Sequence, residues 1–474
     1  MSSAAPDTQP QLDPAVRRTA MILVVGALAA VFDTTIMSVA LHTLSQELRA
    51  PISTVQWVTT GYVLALAATV PLSGWLQRFL GGKNAWMLSL LLFLAGSVLC
   101  SLSWNAGSLI AFRVLQGVGA GIMMPLMMSI VMQAAGGRNL GRLSASIGLP
   151  AMLGPILGPA IGGIILNWLD WRWIFLVNVP FCVVGLVLAW LLLAPDQGDR
   201  RARLDVTGML LLVPALVALL IGLSNSSGTQ SFAAADAWPP LAIGGVLLVA
   251  FVVYAMKVGD RALVDVRLLA KRPVWSSSLL LLLSGLAAYG IMLLLPLYLQ
   301  ELRQYDVLAA GLFMIPQGIG TLLARPLAGR LVDTIGPRWV AVVGFSVVAI
   351  TTIPFALSTA QTNEWLLMGM LLIRGVGLGG LVMPLMVAPM QSLTKPEIPH
   401  ATIITRTAQQ LGGSFGTAIL AVVLQAGIAA NASHGRAGVA TAFDQAFWWS
   451  IGFTSLAVLI AFLLPGRPRE NAAA

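Results

Sequence analysis

The stretch LIAFRVLQGVGAGIMMPLM, residues Leu109–Met127, is an apolar run that contains one arginine, Arg113, and three closely spaced glycines. A charged side chain inside hydrocarbon costs roughly 2.5–3.5 kcal/mol on insertion scales, so Arg113 needs a partner or a function. Glycines at this spacing allow neighbouring helices to approach closely. The stretch therefore predicts a closely packed transmembrane helix that carries a functional charge.

The whole chain has the composition of a membrane protein. Of its 474 residues, 58% are hydrophobic and only 9% are charged, whereas soluble proteins carry about 25% charged residues. This predicts an all-α polytopic membrane protein. Cys100 and Cys182 lie in apolar runs and are interpreted as core residues. The histidines lie at span ends or in loops without ligand spacing, so we expect no metal site.

Hydropathy and the positions of glycine, proline and charge predict fourteen membrane spans. They lie near residues 20–44, 54–76, 85–104, 107–133, 142–167, 171–194, 205–223, 238–256, 274–299, 308–332, 338–358, 363–391, 401–428 and 444–464.

The basic residues test this topology. If the N-terminus is inside, nineteen of the 27 Lys and Arg residues fall in inner loops and tails. The outer loops hold only Arg49, Arg172, Arg303 and Arg436. Basic residues concentrate in cytoplasmic loops, so both termini are predicted to be cytoplasmic. The same distribution explains the net charge of +9 without nucleic-acid binding, because these charges orient the chain in the bilayer.

The sequence contains an internal repeat. The hexapeptide at 71–76 (PLSGWL) recurs at 326–331 (PLAGRL), and the match continues from Gly81 to Gly336. Gly117-Val118-Gly119 recurs at 375–377. The repeat pairs spans two and ten, then four and twelve, in the same orientation, which is typical of transporters built from two parallel halves.

An offset of eight spans between six-span halves leaves two extra spans, 205–223 and 238–256. They carry no buried charge, and we expect them to lie outside the transport path. The predicted organisation is a tail (1–19), a six-helix bundle (20–196), a linker with the two inserted helices (197–272), a second six-helix bundle (273–465) and a tail (466–474).

Five motifs give the chain a more specific resemblance. They are Asp33-Thr34-Thr35-Ile36 in span one; Trp57, Tyr62, Pro71 and Gly74 in span two; Arg113-Val114-Leu115-Gln116-Gly117-Val118-Gly119 in span four; Gly154, Pro155, Gly158, Pro159, Gly162 and Gly163 in span five; and Trp171-Arg172-Trp173-Ile174-Phe175 followed by Asn178 and Pro180. Together they resemble the major facilitator superfamily, specifically its fourteen-helix drug:proton antiporters. The resemblance implies the major facilitator fold, two six-helix bundles plus an inserted two-helix hairpin, and proton-driven multidrug efflux across the bacterial cytoplasmic (inner) membrane, hence antibiotic resistance.

The resemblance also assigns roles to two groups of residues. It gives the span-five motif the functions of hinge and seal, while close helix packing alone is the alternative explanation of its glycines and prolines. The turns after spans two and ten are expected to form an inner gate or latch, with Gly74, Lys83, Gly329, Asp333, Gly336 and Arg338. The first turn departs from the family, because Arg78 stands where an aspartate is usual, so the latch role is not carried over to Arg78.

Asp33 is the only one of the eighteen acidic residues that lies well inside a predicted span. A proton-driven carrier needs a group that titrates between its two facing states, and a carboxylate fits, because desolvation favours its protonated form and a nearby cation its charged form. Helix rise places Asp33 and Arg113 at a similar depth, so we predict that they pair for proton coupling. Three alternatives remain open: a permanent structural ion pair, an Asp33 that caps a neighbouring helix, and direct binding of a cationic substrate by Asp33.

Arg325, Arg374 and Arg406 are the other charges inside spans, and no intramembrane acid remains to pair with them. They favour an anionic or polar substrate, or carbonyl and water partners; helix-end placement is the alternative, above all for Arg325. Arg374 aligns with Gln116 in the repeat and is expected to face the cavity. The candidate substrate-cavity residues are Trp57, Tyr62, Gln116, Met124, Tyr289, Met292, Gln317, Arg374 and Arg406.

The preferred function is a proton-coupled antiporter that exports small, largely hydrophobic compounds by alternating access. The alternative is a dedicated exporter or importer of one specific metabolite, possibly polar or anionic. The sequence shows no buried nucleophile–base set and no metal cluster, so we do not expect an enzyme. We expect a monomer without cofactors that uses the proton gradient, with a small-molecule substrate, protons and the bilayer as its partners.

Overall fold

The computed structural model describes residues 14–135, 161–196, 198–229, 231–305, 307–358, 362–390, 393–394 and 397–466. Within these ranges every regular element is a helix. The predicted all-α class is thus confirmed.

The described residues of the first part of the chain form eight α-helical segments. They are α1 (Pro14–Glu47), α2 (Ile52–Thr69), α3 (Leu72–Leu80), α4 (Gly82–Ser101), α5 (Ala106–Ala135), α6 (161–168), α7 (Trp173–Leu176) and α8 (Asn178–Leu192). A bend of 57° separates α2 from α3. Pro71 lies at this bend, and it lacks the N–H that would continue the hydrogen bonding of α2.

The described residues of the rest of the chain form nine further α-helices. They are α9 (Val206–Thr229), α10 (Trp238–Val258), α11 (Arg272–Leu297), α12 (Val307–Phe313), α13 (Ile315–Ile335), α14 (Pro337–Ala356), α15 (Glu364–Met390), α16 (Ile398–Ala430) and α17 (Gly435–Ala461). A π-helical turn, Tyr298–Leu302, extends α11.

Ten helices among the described residues are long and apolar enough to cross a membrane. The bent α2–α3 pair raises this number to eleven if it forms one span. Helices α13 and α17 coincide with the tenth and fourteenth predicted spans but are not among these eleven. The total of fourteen spans therefore stays a prediction, as does the division into bundles.

The repeat seen in the sequence is also a repeat in conformation. Gly81 ends α3 with a φ of +80°, and Gly336 ends α13 with a φ of +88°. Glycine adopts this left-handed region at no steric cost. Each glycine allows a sharp reversal into the next helix, so the matching residues build the same turn twice.

The glycines of the opening stretch bring α5 against two neighbours. A Cβ atom added at Gly117 would lie 2.5 Å from the carbonyl oxygen of Tyr62 in α2. One added at Gly119 would lie 2.5 Å from the backbone nitrogen of Phe93 in α4. Gly375 meets the backbone of Gln317 in the same way in the second half. The expected close approach of helices at these glycines is present in both halves.

Contacts between the two halves lie toward one end of the molecule. A Cβ atom at Gly74 in α3 would meet the Ile403 side chain of α16 at 3.0 Å. Met128 and Met132 of α5 share a hydrophobic cluster with Met390 and Ala401. These residues lie toward the end where α5 stops and α16 starts, which is the predicted cytoplasmic side.

Helix α9 packs at the seam between the halves, and α10 packs against α9. Leu212 and Leu216 of α9 share a hydrophobic cluster with Val70, beside α2, and with Ile403 of α16. Helix α9 therefore contacts both halves.

Candidate functional site

A buried ion pair joins α1 to α5. The Arg113 Nη1 atom donates to Asp33 Oδ2 at 2.6 Å. Both residues are 0% exposed, and Asp33 is the only fully buried acid among the described side chains. The pairing expected from the sequence is present in the structure.

Three polar side chains complete the cluster around this pair. Gln116 and Asn178 donate to the other carboxylate oxygen, Asp33 Oδ1, at 3.0 and 3.1 Å. Their Nε2 and Nδ2 atoms also approach Ser97 Oγ at 3.2 and 3.1 Å. Ser97 in turn donates to the Phe175 carbonyl at 2.8 Å. The Asp33 carboxylate thus accepts hydrogen bonds from side chains of both α5 and α8.

The guanidinium of Arg113 is enclosed as well. Its Nη1 also donates to Gln116 Oε1 at 2.8 Å, and its Nε donates to the Val58 carbonyl at 3.2 Å. The ring of Tyr62 lies 4.1 Å from the guanidinium carbon, at cation–π distance. A buried pair of this kind is stable only while both charges remain, because removing one leaves the other uncompensated.

The second half repeats this cluster without the acid. Arg374, at the repeat position of Gln116, is 1% exposed. Its donors reach Gln317 Oε1 at 2.8 Å, the Ala287 carbonyl at 3.2 Å and Thr352 Oγ1 at 3.3 Å. Neutral acceptors thus replace a carboxylate. Arg374, expected to face the cavity, is not part of the described cavity wall, and its guanidinium is held among α11, α13 and α14.

Sequence reasoning gave no role to Asn178, Ser97 or Thr352. In the sequence, Asn178 stands out only as part of the motif that begins at Trp171. Ser97 and Thr352 stand as far apart in the chain as Gly81 and Gly336, so extending the repeat alignment would have paired them. Tyr62 and Gln317 are separated by the same number of residues. Each contacts a buried arginine of its own half: Tyr62 lies against Arg113, and Gln317 accepts from Arg374.

A separate cavity of about 350 Å³ lies between the two halves. Its walls come from α1, α2, α5, α9, α11, α13, α15 and α16. Of the candidate cavity residues, Met124, Tyr289 and Arg406 line it. Arg325 lines it too, although helix-end placement was the favoured interpretation.

The other candidates lie elsewhere. Tyr62 and Gln116 belong to the Asp33 cluster, and Gln317 accepts from Arg374. Trp57 and Met292 are 47% and 57% exposed and are not part of the cavity wall. Leu216 and Leu220 of α9 do line the cavity. Helix α9, which was expected to lie outside the transport path, therefore forms part of the cavity wall.

At the candidate inner latch, the described side chains make contacts inside their own half. Lys83 Nζ donates to the carbonyls of Trp190 and Leu193 at 2.7 and 2.9 Å, at the end of α8. Arg338 Nε donates to the Leu464 carbonyl at 2.7 Å, just after α17. Each basic residue thus satisfies carbonyls at the C-terminus of a helix, where a cation is favoured.

The remaining latch residues are glycines and one aspartate. Gly329 is buried within α13, and Gly336 forms the turn after it. Asp333 also lies in α13, but its side chain is outside the described part. In the first half, Asp196 reaches the turn beyond Arg78 and accepts from the backbone N–H groups of Gly82 and Lys83 at 2.5 and 3.1 Å.

The span-five motif is only partly described. Gly154, Pro155, Gly158 and Pro159 lie outside the described residues, while Gly162 and Gly163 are part of α6.

A repeated bundle with a buried ion pair and a cavity between its halves is a transporter architecture. The family model of the Major Facilitator Superfamily matches residues 23–417. The chain belongs to the major facilitator superfamily. It is thus a multi-pass membrane transporter, which agrees with the resemblance found in the motifs.

Similar proteins refine this assignment. A Multidrug resistance protein B homolog of Mycobacterium tuberculosis is 36% identical over 416 residues, which cover 87% of this chain and 77% of the relative. Lincomycin resistance protein LmrB of Bacillus subtilis is 28% identical over 407 residues, covering 85% of each chain. The structure of the proton:xylose symporter XylE is similar in fold, with a TM-score of 0.65 at 16% identity over 96% of this chain and 97% of that one.

Proposed function

We propose that the protein is a proton-coupled antiporter that exports small, largely hydrophobic compounds from a bacterial cell by alternating access. It lies in the cytoplasmic membrane with both termini in the cytoplasm. Its drug-resistance relatives support export, and the Asp33–Arg113 pair supports the coupling ion.

The buried ion pair carries the proposal. Protonation of Asp33 removes the negative charge that compensates Arg113, and the buried pair loses its attraction. Since Asp33 lies on α1 and Arg113 on α5, the relation between two helices then depends on one proton. A ligand shifts such an equilibrium only by binding the two states differently, and a proton on Asp33 meets this condition.

The cavity supplies the second half of the exchange. Its wall includes Val24, Leu28 and Val31 of α1 and Gly121 and Met124 of α5. The helices that carry the ion pair therefore also line the cavity. A change in their packing reaches a bound compound directly, without a long chain of intermediate contacts.

The test uses purified protein in vesicles with a trapped pH dye and an acid interior. Cationic, neutral and anionic compounds are added one at a time. We expect compound-dependent proton release that is lost in Asp33→Asn and retained in Asp236→Asn, which changes an acid in the segment between α9 and α10. Full exchange by Asp33→Asn removes Asp33 from the mechanism.

One observation favours the alternative, a dedicated exporter or importer of a single metabolite. The cavity contains Arg325 and Arg406, which suit a polar or anionic molecule better than a broad range of drugs. Competition distinguishes the two functions. A multidrug exporter is inhibited by many unrelated compounds, while a dedicated carrier is inhibited by few.

A further inference from the structure

We infer that the cavity binds an amphipathic organic monoanion, and that Arg325 and Arg406 hold its anionic group. The inference rests on the proposed function, because it treats the cavity as the substrate site. The inference goes beyond the proposed function because it names the charge and the shape of the compound.

The charge of the wall is one-sided. Arg325 and Arg406 are the only charged side chains among the described residues that line the cavity. They come from α13 and α16 and face the same space. A cationic compound would meet two like charges in a medium that screens them weakly. An anion would relieve that repulsion.

The hydrogen-bonding state of Arg406 points to a missing acceptor. Its Nε is buried without a hydrogen-bond partner among the described residues. Its Nη1 reaches Gln409 Oε1 only at 3.4 Å. A guanidinium has five N–H donors in a planar fork that matches a carboxylate. Arg406 therefore lines the cavity with donors that no described residue satisfies.

The four arginines inside the membrane divide into two classes. Arg113 and Arg374 each donate to three protein acceptors. Arg325 makes no hydrogen bond or ion pair with any described residue, and Arg406 makes the one long contact given above. The two arginines without full partners are those that line the cavity. This separation indicates that their acceptor comes from a ligand.

The rest of the wall determines the body of the compound. Besides Leu216 and Leu220, methionines from both halves contribute flexible apolar surface. These methionines are Met124, Met127, Met128, Met383 and Met386. The volume of about 350 Å³ lies at the lower end of the range of about 300–1,000 Å³ for small-molecule sites. A small apolar body with a single anionic head fits both the wall and the volume.

Binding of three probes with the same ring system tests the inference without any gradient. The probes are 1-naphthaleneacetate, its neutral amide and (1-naphthylmethyl)trimethylammonium, measured by calorimetry on the purified full chain. We expect the carboxylate to bind most tightly. Arg406→Gln and Arg325→Gln should each weaken its binding roughly 10- to 100-fold and leave the amide nearly unchanged. Arg330→Gln, which removes a charge from the same helix as Arg325 but outside the cavity wall, should have no effect.

Arg406→Lys and Arg325→Lys distinguish the loss of a positive charge from a general defect in folding. They keep the cation and should retain part of the preference for the carboxylate. Equal binding of the three probes, preference for the ammonium compound, no binding of the carboxylate, or unchanged affinity in the Gln variants overturns the inference. These results leave proton exchange through Asp33 intact, since that is measured separately in vesicles. If the purified protein prefers the carboxylate probe but shows no compound-driven proton exchange in vesicles, the proposed function is contradicted and the inference about the cavity is not.

Discussion

Gln116 and Arg374 occupy the same repeat position in the two halves, yet Gln116 is neutral and Arg374 brings a charge without a counter-ion into the core. Gln116 lies beside an ion pair, between Arg113 and Asp33. Arg374 has only neutral acceptors, among them Thr352, the counterpart of Ser97. The two clusters thus share a geometry but differ in charge, and of their described side chains only Asp33 in the first is a carboxylate.

This difference predicts unequal costs for one substitution. Arg113→Gln strands the buried Asp33 carboxylate and should lower the free energy of unfolding by about 3–5 kcal/mol. Arg374→Gln removes a buried charge that has no counter-ion, and should cost clearly less. Thermal unfolding in detergent measures both. The double variant Asp33→Asn with Arg113→Gln should recover part of the loss; equal costs of the two single variants would contradict the argument.

Asn178 predicts a change in the pH profile of transport. Its amide donates to Asp33 Oδ1 at 3.1 Å. Asn178→Leu removes this hydrogen bond to the carboxylate proposed to carry the proton, so the pH profile of exchange should change, as it should in Arg113→Ala, which removes the ion pair. Asn84→Leu serves as the control, since the Asn84 amide donates to the Leu80 carbonyl at the inner turn. An unchanged profile in both test variants would remove these residues from the coupling.

The position of α9 predicts protection by substrate. Leu216→Cys and Leu220→Cys should react with a membrane-permeant maleimide more slowly when a transported compound is present, because both side chains line the cavity. Leu210→Cys is the matched control on the same helix, where Leu210 is 63% exposed and not part of the wall. The native Cys100 and Cys182 are buried. Equal labelling of all three sites with and without compound would place α9 outside the path after all.

Gly119 predicts a packing limit. A side chain there would enter the backbone of α4 at Phe93, so Gly119→Val should destabilise the protein by about 1–3 kcal/mol or more through overpacking. Gly369→Val is the control, since nothing lies within 4 Å of its added Cβ. The unfolding midpoint should fall in the first variant and stay nearly constant in the second. A similar fall in both would show that helix propensity, and not close packing, sets the cost.

A surface ion pair at the start of α16 predicts a small acid-dependent effect. The hydrogen bond from Lys271, followed by that from the Thr394 backbone, holds the pKa of the Glu397 carboxyl below its usual range. The stabilisation is therefore present above the unfolded pKa of about 4.3 and is lost as the pH falls through the folded value. Both side chains are partly exposed, so the pair contributes less than about 1 kcal/mol. The difference in thermal unfolding midpoint between wild type and Glu397→Gln should vanish in acid. A difference that does not depend on pH would show that it does not come from the Lys271–Glu397 ion pair.

The sequence predicted the ion pair because only two charges of opposite sign could meet at that depth. It predicted the turns at Gly81 and Gly336 because the repeated letters demand one conformation. It did not place α9, since hydropathy reports that a segment avoids water but not whether lipid or a neighbouring helix covers it. The direction of Arg374 was missed for a related reason, because alignment gives a residue its position on a helix while local acceptors decide where a long side chain ends.

The burial of Asp33 has a consequence for energy conservation. A titrating group that stayed open to both sides of a membrane would let protons leak down their gradient and would dissipate it without moving any compound. Here the carboxylate is 0% exposed and is not part of the described cavity wall. Under the proposed mechanism, a proton therefore reaches Asp33 only after the packing around it opens. The burial of one aspartate would then keep the proton gradient from being dissipated between transport cycles.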